Sequence, residues 1–183
     1  MKPKLLFVGR TRFRFPLDRT LRRRYDALSE VLEWRQLGTG RSDDPRFALA
    51  PELPALDGLA FYLALPFRVA RELRRFRPDA VLVQGAQETA LVLLARRLAQ
   101  VETAVILDVH GDWRAPTRLY GSPLRRLLDP LADVLARTGV RRADAIRTVS
   151  GYTTGLVRAA GREPDAVFPA YMDLEPFLAR PPQ

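Results

Sequence analysis

The sequence predicts a doubly wound α/β domain built on an open parallel sheet with helices on both faces. Three observations lead there. Short apolar runs alternate with stretches of helical periodicity along the whole chain. Four of those runs, LLFVG, AVLVQG, VILDVHG and AIRTVSG, close on a glycine, at Gly9, Gly85, Gly111 and Gly151. The 183 residues, 47% hydrophobic, suffice to bury one core. In such a sheet the loops at the carboxyl ends of the strands share one edge, and ligands bind in the crevice there. The four endings are therefore expected to converge, with His110, the sole histidine, in the middle.

Each element has its own signal. After the first strand comes a basic loop, Arg10 to Phe15, then a helix from Asp18 whose buried face is Leu21, Tyr25, Leu28 and Leu32. A second strand, Val31 to Leu37, ends at Gly38. Thr39 to Asp57, with Gly40, Pro45, Pro51 and Pro54, reads as a long functional loop with little structure of its own. A helix from about Gly58 to Phe76 is expected to bend at Pro66 and to bury Leu65, Val69, Leu73 and Phe76. The strand AVLVQ and a helix from about Glu88 to Leu98 follow, the latter turning Leu91, Leu94 and Leu98 inward. Beyond the His110 segment, Ser122 and Pro123 are placed to start a helix. Leu124, Leu127, Leu128, Leu131, Val134 and Leu135 form its expected buried stripe, with a kink at Pro130. The strand Ala145 to Val149, a short helix to about Ala160 and a last strand Ala166 to Ala170 complete the order.

Composition removes whole classes of chemistry. The chain has no cysteine, which excludes disulfides and thiolates, and one histidine leaves a zinc site almost without ligands. The longest apolar stretch, Leu59 to Val69, is broken by Pro66 and Arg68 and is too short to span a bilayer. MKPKLLFVG reads as a first strand rather than a signal peptide, so a cytoplasmic protein is expected. No GxxxxGK[ST], GxGxxG or GxSxG is present, and no DxD carries a metal–diphosphate signal.

His110 has two readings. It is either a strand-end histidine satisfied locally, or a ligand-facing group helped by Gly111, where a ligand can approach the backbone closely. Asp108 and Asp112 are both near enough to orient the imidazole. Asp108 has an alternative inside the sheet, which leaves Asp112 as the acid expected at the crevice.

Four segments together resemble the N-terminal domain of family 4 glycosyltransferases, enzymes of the two-Rossmann-domain (GT-B) architecture. RPDAVLVQG, Arg77 to Gly85, is similar to that family's RPDVVHVHG, with Leu82 and Gln84 replacing its two histidines. VILDVHGDW, Val105 to Trp113, resembles its strand ending in HG or HD. RRADAIRTVS, Arg141 to Ser150, is similar to ADAVIAVS. FPAYMDLEPF, Phe168 to Phe177, resembles IPNGVDLERF, with Ala170 and Tyr171 in place of the Asn-Gly pair. The four occur in the family's order across the chain.

The resemblance implies a Rossmann-like, acceptor-side domain over residues 1–178, with the start of an interdomain linker at 179–183. It implies a nucleotide-sugar co-substrate, a glycan or lipid-linked acceptor, a donor-binding C-terminal domain as partner, no metal and no other cofactor. Gly9, Arg10 and Thr11 then face the donor diphosphate, and His110, with Asp112, lies near the sugar being transferred as the catalytic pair. Gln84, Gly85, Gly111, Trp113, Ser150, Gly151 and Tyr171 line the cleft. The family's glutamate pair seven residues apart is absent from this chain. A hexosyl transfer with retention is expected of the full-length enzyme, and no activity of this half alone.

Arginine supplies almost all of the positive charge behind the net +9. Seven arginines lie between residues 10 and 24, interleaved with Phe13, Phe15 and Tyr25, and five lie between 68 and 77. They read either as solvated faces or as a peripheral patch for the anionic inner face of the plasma membrane, formed by Arg12, Arg14, Arg22, Arg23, Arg24, Arg71, Arg74 and Arg75. The competing classes are a basic nucleic-acid-binding domain and a non-catalytic scaffold of the same fold.

Overall fold

The computed structural model describes residues 2–51, 57–115 and 127–170. Its strands are β1 (Lys4–Phe13), β2 (Glu33–Gly40), β3 (Phe47–Ala50), β4 (Ala80–Val83), β5 (Ala104–Val109), β6 (Ala145–Thr148) and β7 (Ala166–Val167). The helices are α1 (Arg19–Val31), α2 (Asp57–Phe76), α3 (Ala86–Ala99), α4 (Asp129–Arg142) and α5 (Gly151–Ala159). All seven strands run parallel in the order β3-β2-β1-β4-β5-β6-β7. The chain leaves β1 leftward to β2 and later returns to β4 on its right, which is the doubly wound topology.

Alternation along the strands sorts the core into layers. Leu6 and Val8 of β1, Leu37 of β2 and Val81 and Val83 of β4 face α2 and α3, where they meet Leu65, Val69, Leu73 and Val92. Phe7 of β1 and Trp34 of β2 face the other way, onto Tyr25 of α1 with Phe13 and Phe47. Tyr25 stacks on Trp34 at 4.5 Å, and Phe47 closes the group edge-on at 5.4 Å from Tyr25. A third cluster, under α3, α4 and α5, gathers Leu107, Val109, Ile146, Ala136, Val140 and Val157. Asp18 caps α1 by accepting from the Leu21 amide at 2.8 Å.

Several expectations are corrected here. The stretch from Thr39 to Asp57 is not uniformly structureless: β2 runs on to Gly40, and FALA forms the edge strand β3, fixed by Phe47 in the aromatic cluster. The basic segment after Val8 is strand as well. β1 extends to Phe13, pairing with β2 alone past a register shift between Val8 and Arg12. Pro66 lies inside one continuous helix, and Pro130 sits in the first turn of α4, where its missing N–H costs nothing. Ser122, Pro123 and Leu124 lie outside the described residues.

The helix faces also differ. Leu94 and Leu98 of α3 are exposed, while Val92, Leu93, Ala95 and Ala99 turn inward. Leu127 and Leu128 just before α4 and Leu131 and Val134 on it point to solvent, and the buried face of the helix is Ala136, Gly139 and Val140. Close approach of α3 and α4 explains this. A Cβ on Gly139 would stand 2.0 Å from the Ala86 carbonyl oxygen, so only the smallest residues fit between the two helices.

Two buried polar ties fasten α2 to the sheet. Arg35 of β2 donates to the buried carboxylate of Glu72 at 2.7 Å. Arg68, expected on the outer side of α2, donates instead to the carbonyls of Ala48 at 2.7 Å and Gly38 at 3.3 Å. Burial pulls its guanidinium pKa below the ordinary value.

Candidate functional site at the carboxyl edge of the sheet

Because every strand is parallel, the carboxyl ends of β1, β4, β5 and β6 lie along one edge. The crossovers diverge between β1 and β4, the position where open α/β sheets hold ligands. Gln84, just past β4, lies over Gly9: a Cβ there would meet Gln84 Oε1 at 2.8 Å, and Thr11 donates its hydroxyl to the same oxygen at 3.3 Å. Gly85 N-caps α3, and the carboxylate of Glu88 folds back over it so closely that a Cβ there would displace that carboxylate. Tyr62 of α2 donates its hydroxyl to Glu88 Oε1 at 2.8 Å. Burial raises the Tyr62 pKa, the Glu88 carboxylate raises it further, and Arg10 acts weakly in the opposite direction. A buried carboxylate thus occupies the N-terminus of α3, flanked by the exposed Arg10.

The second half of the edge is built around Asp108, the penultimate residue of β5, only 1% exposed. Arg147 of β6 stands beside it in register and reaches both carboxylate oxygens, at 2.8 and 3.0 Å. His110 Nε2 lies 2.8 Å from Asp108 Oδ2. The guanidinium of Arg147 also donates to the carbonyls of Phe168 and Pro169, at 3.2 and 2.9 Å, and its centre lies 3.9 Å from the Phe168 ring centroid. The segment after β7 is thereby tied to the His110 loop. In that loop Asp112 accepts from the Arg114 amide, and the Trp113 carbonyl accepts from Gln87 at 3.1 Å. Ser150 caps α5, its Oγ accepting from the Thr153 amide in a reciprocal capping box.

A family model for a glycosyl transferase 4-like domain matches residues 21–170. The chain belongs to this family. No curated protein matches the chain. Among solved structures, UDP-N-acetylglucosamine 2-epimerase from Rickettsia bellii is similar at 12% identity and a TM-score of 0.59, over 92% of this chain and 44% of that one. The apo form of the lipopolysaccharide outer core galactosyltransferase WaaB is similar at 10% identity and a TM-score of 0.55, over 91% of this chain and 44% of that one. At such identities the likeness is one of fold, the Rossmann-like half of GT-B proteins. The chain spans less than half the length of either.

Within this glycosyl transferase 4-like domain the residues expected on the cleft meet different fates. Gly9, Thr11, Gln84 and Gly85 come together at the divergence of β1 and β4, beside Arg10. His110 shares the edge, but its partner is Asp108 rather than Asp112, which is engaged in its own turn. Cβ atoms added at Gly111 or Gly151 would meet nothing within 4 Å, so both stand open to solvent. Trp113 packs partly on the third core cluster, and the Ser150 hydroxyl is taken up by capping. Tyr171 lies outside the described residues. Glu88, Tyr62 and Arg147 were missed. The GAQE sequence that lets an acid reach back over its own helix start was the available signal for Glu88.

The arginines do not form one surface. Arg22, Arg23 and Arg24 ride on α1, whereas Arg71, Arg74 and Arg75 ride on α2, and these helices cover opposite faces of the sheet. Of the aromatics between the early arginines, Phe13 and Tyr25 are core residues, and Phe15 leans edge-on against Phe47 at 5.0 Å. Phe13 and Tyr25 are therefore buried away from any lipid, and Phe15 alone of the three is exposed. A concavity of about 600 Å³, lined by Phe15, Leu17, Arg22, Tyr25 and Arg41 among others, lies at the α1 side, away from His110. No helix among the described residues is long and apolar enough to cross a membrane.

Proposed function

We propose that this chain is the acceptor-side half, residues 1–178 with a linker beginning at 179, of a glycosyltransferase that moves a hexose from a nucleotide sugar to a glycan or lipid-linked acceptor with retention. The family match across residues 21–170 carries the reading. Arg10 at the divergence of β1 and β4 is the cation offered to the donor diphosphate, and the bare backbone at Gly111 leaves room for the sugar beside His110. Asp112 contributes through the loop it holds, alongside Trp113, Ser150 and Gly151 on the same border. The donor's main contacts belong to a C-terminal domain, and the sugar nucleotide is the co-substrate, with no metal called for by the residues at this edge.

The test is an assay of the 183-residue chain with UDP- and GDP-sugars, following both transfer and the ring signals of the sole histidine. No turnover is expected, with a shift of the His110 signals by a sugar nucleotide at millimolar concentration. Robust turnover overturns the half-site reading. Unchanged signals with every sugar nucleotide overturn the cleft reading.

A peripheral position at an anionic membrane surface is supported by one further observation. Leu131 and Val134 lie on one exposed face of α4, with Leu127 exposed in the turn before it and Arg137 and Arg141 following on the same face. Apolar residues at one end and arginines at the other suit a bilayer interface better than nucleic acid, which needs no leucines.

A further inference from the structure

We propose that Asp108 and Arg147 are positioning residues that fix the tautomer of His110, placing its proton on Nε2 and turning Nδ1 outward as a hydrogen-bond acceptor for a ligand hydroxyl. The inference rests on the cleft reading above for the identity of the ligand, but its geometry is independent of it.

The argument starts from what each group is able to give. An ionised carboxylate only accepts hydrogen bonds. Asp108 is fully buried, and both of its oxygens receive Arg147 Nη1, at 2.8 and 3.0 Å, so its charge is paired within the protein. Its Oδ2 also lies 2.8 Å from His110 Nε2. Since the oxygen has no proton to give, that nitrogen must supply one. The proton of the neutral ring is therefore on Nε2, and Nδ1 carries the lone pair.

Nδ1 has no protein partner among the described residues, and the His110 side chain is 38% exposed at the edge where Gly9, Gly85 and the open Gly111 also lie. An outward acceptor on a ring fixed from behind recognises a donor. Sugar hydroxyls donate, whereas phosphate oxygens do not. The structure thus divides the edge by chemistry: the exposed guanidinium of Arg10 for an anion, and His110 for a hydroxyl.

Arg147 is held on three sides, which is why it serves as the fixed point. Its Nη2 is spent on the carbonyls of Phe168 and Pro169, and the Phe168 ring covers its plane at 3.9 Å. With Arg147 immobile, the Asp108 carboxylate cannot rotate, and the ring cannot turn over without losing its one hydrogen bond to the described residues.

Because the chain holds a single histidine, its ring nitrogens give an unambiguous signal in nitrogen-15 NMR of the histidine-labelled 183-residue protein. The wild type at neutral pH is expected to show the proton on Nε2. Asp108→Asn has only one acceptor oxygen, which Arg147 claims, so the amide NH2 faces His110 and the proton is expected to move to Nδ1. Arg147→Gln is expected to give a mixture of the two tautomers, and it serves where the first variant does not fold. A wild-type ring with its proton on Nδ1, or variants indistinguishable from wild type, overturn the proposal. These measurements need no ligand, so their failure leaves the transferase reading standing. Failure of sugar nucleotides to act on the domain leaves the tautomer assignment standing.

Discussion

The hydroxyl of Tyr62 on α2 and the carboxylate of Glu88 on α3 meet at 2.8 Å, joining two helices at the mouth where β1 and β4 diverge. Glu88 is buried, and it gains from that hydroxyl a hydrogen bond to a charged group. Tyr62→Phe keeps the ring and removes the donor. A loss of about 1–3 kcal/mol in urea unfolding is expected. Glu88→Gln retains an acceptor for Tyr62 and should lose less. Equal losses would mean that the pair is not the source of the effect.

Stability should fall in strong base through Tyr25. Burial is the main cause pushing its pKa from 10.0 up to about 12, opposed by the neighbouring Arg24. The folded state holds the proton more tightly than the unfolded chain. The contribution is therefore complete below pH 10 and is lost as pH rises from about 10 to about 12. Tyr62 is shifted in the same direction and adds to the slope. Urea midpoints measured at pH 9, 10 and 11 test this, and Tyr25→Phe should flatten part of the decline.

Two glycines ought to respond oppositely to the same change. Gly139→Ala drives a methyl into the Ala86 carbonyl and should destabilise by about 1–3 kcal/mol as α3 and α4 are forced apart. Gly111→Ala meets no atom within 4 Å and should leave the unfolding midpoint in place. If the ligand passes over the bare backbone at Gly111, the second variant weakens ligand-induced shifts at His110 while the protein stays fully stable. Calorimetric unfolding alongside NMR titration separates the two effects.

Anionic vesicles should retain the protein through α4. Co-sedimentation with phosphatidylglycerol vesicles at low salt is expected, with little on phosphatidylcholine alone. Leu131→Glu combined with Val134→Glu, both on the exposed side of α4, should release it without loss of folding. Retention of the double variant would shift the burden to arginine charge alone. Tight, steeply salt-dependent binding to RNA or DNA instead would favour the nucleic-acid reading.

What the sequence revealed tracks how local the cause is. The apolar runs that lead to Gly9, Gly85 and Gly151 are legible as strands because run and glycine are adjacent in the chain, although β1 continues past Gly9 to Phe13. The edge strand FALA has no β-branched residue and is short. It owes its place to Phe47 entering a ring cluster assembled from distant elements. On α3 the residues 91, 94 and 98 and the residues 92, 95 and 99 both repeat at helical spacing, so periodicity alone does not choose the inward row; of the first set Leu91 alone packs against the core. The leucines of α4 were misplaced for a related reason: small residues are what fit where two helix backbones nearly touch. His110 was found by being the lone histidine. The sequence leaves two aspartates as candidate partners for it, because Arg147, which fixes Asp108, lies 39 residues beyond that aspartate.

Arg147 also bears on where the polypeptide can be cut. Phe168 and Pro169 stand just beyond the two-residue strand β7, and a boundary drawn from strand assignments alone would discard them. Ending the chain at Val167 would remove both carbonyl acceptors and the aromatic cover from a guanidinium whose Nε has no partner among the described residues. Its Nη1 would keep the Asp108 carboxylate while Nη2 and the guanidinium plane lost their hold, directly behind the only imidazole in the protein. A trimmed domain that still folds should therefore have a disturbed His110 ring, and expression boundaries should extend past Pro169.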